Sequence, residues 1–144
     1  YHACKEKMLF FPPPEPYLRR VLVLISDGQD NQSERTREEA LAMAQRGEVT
    51  IFAISTNRSG LEGKGDRILK YLAQETGGRT FFPFSASDLA SNFQEISREL
   101  RSQYSLGYIS SNQTHDGTFR NITIQPLDKS IRVRAKSGYF APSQ

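Results

Sequence analysis

The sequence predicts an α/β fold, a doubly wound parallel sheet with helices on both faces followed by a C-terminal antiparallel β meander. Three observations carry this reading. Val21 to Ile25 and Val49 to Thr56 are continuous runs of mostly apolar, β-branched residues, the pattern of strands covered on both faces. Strand-like and helix-like patterns alternate three times between residues 19 and 103, which calls for parallel strands joined by right-handed crossovers. Beyond residue 103 the apolar period falls to two, as in short antiparallel strands.

The elements follow in order. Residues 2–10 fit the last turns of a helix, and the prolines of "FPPPEP", Phe11 to Pro16, stop it and stiffen a connector. Residues 1–18 are therefore expected to be a helix remnant and linker. After the first strand, Thr36 to Glu39 forms a capping box, in which Thr36 caps and Glu39 reaches back. The helix it launches is expected to end with Gly47 at the C′ position. The glycine-rich "NRSGLEGKGD" after the second strand reads as a flexible crossover loop, with Asp66 capping the helix that follows. Ile68, Leu69, Leu72 and Ala73 form the stripe of that helix, and Gly77-Gly78 end it.

"RTFFPFS" is a third strand, placed at an edge because Pro83 cannot donate to a ladder. Ser85 or Ser87 caps a long helix to about Ser102, with Leu89, Phe93, Ile96 and Leu100 on its buried face. "QYSLGYIS", "TFRNITIQP" and "SIRVRAKSG" make the three meander strands, with Asp116-Gly117 as a hairpin signal. Ile131, Val133 and Ala135 are expected to point inward, and Arg132, Arg134 and Lys136 outward.

At 144 residues, with 37% apolar and 24% charged residues, the composition is globular and sufficient for one core. No apolar run approaches the length of a membrane span. The net charge of +3 comes from basic residues spread along the chain, which argues against nucleic acid as a partner. The single cysteine, Cys4, excludes an internal disulfide and any Cys-based zinc site. The chain opens on "YHACKEKML" without a leader, and is expected to be a piece of a longer protein.

Asp27 is the residue of greatest chemical interest. It follows the first strand directly, where ligands bind in open α/β sheets, and Gly28 lets the chain turn there. A turn aspartate bonding its own backbone explains the position equally well. Asp30, Asn31 and Ser33 do not complete an EF-hand spacing, and "GLEGKGD" is not a phosphate loop. His2 and His115 read as surface residues, with no nucleophile motif beside them. Asn-x-Ser/Thr triplets such as those beginning at Asn57, Asn112 and Asn121 arise readily by chance.

"RRVLVLISDGQDN", "VTIFAIST", the segment from "LAQETGGRT" to "RSQYSLGY", and "IRVRAKSGYFAP" together resemble a von Willebrand factor type A (VWFA) domain. More narrowly they resemble bacterial, acidobacterial-type VWFA-related proteins, and the likeness covers about Arg19 to Pro142. It implies a partial Rossmann-like sheet of VWFA type. Residues 19–103 would be the C-terminal half of that domain and 104–142 its β extension. It also implies a metal ion-dependent adhesion site in which Asp27 matches the third-loop aspartate. Mg²⁺, or Mn²⁺ or Ca²⁺, would be the cofactor of the intact parent. A protein ligand would complete the site through an acidic residue, and the location would be extracytoplasmic, periplasmic or secreted.

The sequence departs from the family in lacking D-x-S-x-S and the threonine loop. Metal binding by this chain is therefore expected to be weak or absent. In the family's strand order, Val21–Ile25 pairs with a strand that is missing here, so self-association through the 21–25 edge is expected. The first functional reading is a non-enzymatic protein-interaction module. Its rivals are an enzyme on a Rossmann-like sheet, with Asp27 as acid or metal ligand, and a structural scaffold of the cell envelope.

Overall fold

The structure is a computed structural model that describes residues 1–8, 19–30 and 33–143. The proline-rich connector expected before residue 19 lies mostly outside the described residues. A π-helical segment, Ala3–Met8, comes first. Strand β1 is Arg20–Ser26, β2 is Val49–Ser55 and β3 is Thr80–Phe81. They form one parallel sheet in the order β1-β2-β3, with Arg20 opposite Val49 and Ser26 opposite Ser55.

Helix α1, Arg37–Arg46, and helix α2, Lys64–Glu75, cover one face of this sheet. Met43, Ala44 and Leu72 pack there with Cys4 against Leu22, Leu24, Val49 and Ile51. Helix α3, Ala86–Arg101, covers the other face, where Leu89, Ile96 and Leu100 meet Val21, Val23, Phe52, Ile54 and Phe81. Successive strand residues alternate between these two layers, so β2 is buried along nearly its whole length. The result is a mixed α/β fold compatible with a partial Rossmann-like sheet.

The helix starts behave as local chemistry requires. Glu39 N–H donates to Thr36 Oγ1 at 3.1 Å, and Thr36 N–H donates to Glu39 Oε2 at 2.8 Å. Ser85, one of the two candidate caps, is the one used, with Asp88 completing its box. Gly47 differs from expectation. It is the cap itself at φ −81°, and Glu48 beyond it takes the left-handed turn at φ 53°. A Cβ on Gly47 would lie 3.3 Å from Val49 Cγ2 and 3.4 Å from Met43 O, so close packing accounts for the glycine.

The meander is smaller than expected. Two short strands, β4 (Phe119–Asn121) and β5 (Gly138–Phe140), pair antiparallel. Neither "QYSLGYIS" nor "SIRVRAKSG" up to Ser137 forms a strand, and Ile131, Val133 and Ala135 are exposed rather than inward. Their alternating pattern finds no partner strand among the described residues, and alternation without a partner buries nothing. Asp116-Gly117 does not close a hairpin of consecutive strands, because β4 pairs with β5 and residue 116 only bridges to Ser143. Arg120 instead gathers the loop before β4, donating to the carbonyls of Asn112 and Thr114.

Candidate functional site

β1 and β2 end on neighbouring serines that shape the chain in the same way. Ser26 Oγ accepts from Gly28 N–H at 3.0 Å, and Ser55 Oγ accepts from Asn57 N–H at 3.0 Å. Each hydroxyl turns its strand out of the sheet two residues on. An open cleft of about 820 Å³ lies between the two loops so formed, lined among others by Asp27, Asp30, Thr56, Arg58 and Lys64. It sits beyond the carboxyl ends of the strands, where the unpaired strand termini of an open α/β sheet leave room for a ligand.

The two loops use their acids differently. Asp66 is almost fully buried under the β2 loop. Its Oδ1 accepts from Ser55 Oγ at 2.6 Å, while Oδ2 accepts from Asn57 Nδ2 at 2.6 Å and from Gly63 N–H at 2.8 Å. Burial pushes this carboxyl upward, but donors from Ser55, Gly63 and Asn57, with Lys70 nearby, hold it below the usual range. Asp66 is thus the third residue of α2, reaching back to its start rather than standing before it. The supposed flexible loop becomes helix at Lys64, three residues earlier than the sequence suggested. Asn57 Nδ2 is engaged by Leu61 O as well, which leaves that triplet's amide committed to the fold.

Asp27 is exposed. Its Oδ1 accepts from Gln29 N–H at 3.0 Å, so the turn reading describes one of its oxygens. What fixes the residue in space is a backbone clamp. Gly28, at φ 72°, presses on Gly65 in the first turn of α2. A Cβ on Gly65 would fall 2.0 Å from Asp27 O, and one on Gly28 would fall 2.2 Å from Gly65 O. Two glycines distant in sequence let the β1 loop lie directly on α2. The sequence offered both glycines but no sign that they meet.

Asp30 lies in the same cleft, with Oδ1 accepting from Ser33 N–H at 2.9 Å. Three acids, Asp27, Asp30 and the buried Asp66, share the cleft with two bases, Arg58 and Lys64, so charge of one sign does not dominate it. Among the described residues no three of His, Cys, Asp and Glu converge as a metal-holding group. Asp27 and Asp30 therefore do not fit a complete divalent-cation site by themselves. His2 and His115 are exposed, as expected of surface histidines.

No family model matches the chain, and no curated protein matches it. A solved structure described as an uncharacterized membrane spanning protein from Vibrio fischeri is similar at 22% identity and a TM-score of 0.48. The likeness covers 57% of this chain and 47% of that one, so the match spans about half of the other protein. At that score it carries no argument about function. The periplasmic or secreted, extracytoplasmic assignment finds no support in this comparison and is withdrawn. Among the described residues no helix is long and apolar enough to cross a membrane.

Proposed function

We propose that this chain is the C-terminal part of a non-enzymatic, VWFA-type protein-interaction module that receives its partner at the cleft around Asp27. The observation that supports this most directly is the exposed Asp27 carboxylate, set at the strand ends by the Gly28–Gly65 clamp and a turn bond to Gln29. A clamped, solvent-facing acid is suited to recognition, since its geometry is prepared before a partner arrives. In the intact protein a divalent cation, Mg²⁺ by preference, would be held jointly by Asp27 and by residues outside this chain. A cation that keeps open positions can take an acidic side chain from a protein ligand.

The test is a titration of Mg²⁺ and Mn²⁺ into this chain and into a longer form carrying the upstream sequence, each with and without Asp27→Ala. The longer form is expected to bind, and Asp27→Ala to weaken it at least roughly tenfold, as loss of a direct or water-bridged ligand does. Binding by the longer form that ignores Asp27→Ala removes the cation from this reading.

A further inference from the structure

β4 and β5 are the root of one longer hairpin. Ala141 N–H donates to Thr118 O and Ile122 N–H to Ser137 O, each at 2.8 Å, in the register that sets Arg120 opposite Tyr139. Carried outward unchanged, that register brings Asp128 opposite Ile131. A turn stands at that place. Ile131 N–H donates to Asp128 O at 3.1 Å, and Ser130 N–H donates to Asp128 Oδ1 at 2.8 Å. The hairpin therefore ends in a tip, Lys129-Ser130, whose flanking residues are Leu127, Asp128, Ile131 and Arg132.

Charge and apolar surface meet at this tip. Residues 1–103 hold 14 basic and 14 acidic side chains, so the whole net charge of +3 belongs to the extension. Farther down the arm the bases are neutralised, Arg134 by Glu99 and Lys136 by Glu48. Lys129 and Arg132 make no ion pair among the described residues, and the unbalanced charge falls on them. Leu127 is fully exposed, and Ile131 and Val133 are about half-exposed. In the hairpin's register Leu127 shares a face with Arg132, and Ile131 lies on the other face with Asp128. The tip is thus apolar on both sides, with a free base on either arm.

We propose that this tip docks on an anionic lipid surface, with Leu127 and Ile131 entering the headgroup boundary and Lys129 and Arg132 meeting lipid phosphates. Three observations choose this occupant. A second copy of the chain would bring two positive extensions together, which charge disfavours. A protein lying on one face of the hairpin would leave either Leu127 or Ile131 in water, whereas a fluid interface surrounds both. The turn satisfies the N–H groups of Ser130 and Ile131 internally, which lowers the cost of leaving bulk water. Asp128 sets the depth. The backbone N–H of Ser130 and then its side chain hold the Asp128 carboxyl below its ordinary range, so it stays charged and keeps the tip at headgroup level. The inference does not rest on the proposed function, since none of these residues lines the cleft around Asp27.

The experiment is co-sedimentation of the full chain with vesicles of phosphatidylglycerol and phosphatidylcholine in equal parts, and with vesicles of phosphatidylcholine alone. The chain should bind the first and not the second. Lys129→Glu with Arg132→Glu is expected to weaken binding at least roughly tenfold, and so is Leu127→Ser with Ile131→Ser. All four side chains are exposed, so the thermal transition should be retained in both double variants. The chain has no tryptophan, which makes Leu127→Trp a single fluorescent reporter. Its emission should shift to the blue on adding the anionic vesicles, while that of Leu61→Trp, in the exposed loop after β2, should not. Equal binding to both vesicles, indifference to both double variants, or an equal shift at Leu127→Trp and Leu61→Trp each overturns the proposal. Absence of binding to either vesicle overturns it as well, and retention of the chain on polyglutamate in that case assigns the tip to an acidic protein.

Discussion

β2 and the segment from 104 to 111 carry similar strand-like sequence patterns and meet opposite fates. In β2, Phe52 and Ala53 are fully buried between helices, with a strand on each side. In the later segment Tyr104 and Ile109 are 93% and 89% exposed, and no strand forms. The pattern permits a strand, and a neighbouring backbone makes one. Within the extension β4 and β5 have each other, and the far end also meets the α/β layer. Ser137 N–H donates to Glu75 O at 3.1 Å, Lys136 bridges to Thr76, and Arg46 stacks on Phe140 at 3.9 Å. Gly77, at φ 83°, admits this contact, because a Cβ there would lie 2.8 Å from Lys136 N.

Truncation should separate the two regions most sharply. Phe52→Ala leaves a cavity inside the α3 layer and is expected to cost about 3–5 kcal/mol in urea unfolding. Asp66→Ala strands the Ser55, Asn57 and Gly63 donors in the buried β2 loop and should cost about 2–3 kcal/mol by the same measurement. Because the folded Asp66 carboxyl titrates below its unfolded value of about 4, the unfolded state binds the extra proton in acid. Its stabilisation is complete above that value and fades as pH falls through the folded one. A pH series of unfolding curves should therefore lose its acid slope in part in Asp66→Asn.

Thr36→Ala removes one half of a capping box at the surface and should cost about 1 kcal/mol in thermal unfolding. In the extension, Asp116 is held down to about 2 chiefly by the backbone N–H and then the hydroxyl of Thr118. A carbon-detected NMR titration is expected to find its midpoint there, and Thr118→Val to move it upward. The smallest effect belongs to Ile109→Ser, within about 0.5 kcal/mol of no change. A cost well above that would mean that this segment has a partner strand, and the contrast with β2 would collapse.

Much of the candidate site was readable before folding. An apolar run that stops at Ser26-Asp27-Gly28 announces a carboxylate at the end of a buried strand, because strand burial and turn chemistry are both properties of adjacent residues. The caps at Thr36 and Ser85 were readable for the same reason, since each donor and acceptor lies within three residues. The other wall of the cleft was not. "GKGD" looks like a loosely ordered loop until Asp66 is drawn under Ser55 and Asn57, and those bonds exist only once α2 lies across β2.

The amino-acid sequence by itself determined which segments could become buried strands, where the helices begin, and that Asp27 stands at a strand end. The tertiary structure decided which acid is buried and which faces solvent, which glycines touch, and which alternating segments become strands at all. The reason is physical. Periodicity and capping depend on neighbours along the chain, whereas desolvation, ladder pairing and close backbone approach depend on groups that only folding brings together.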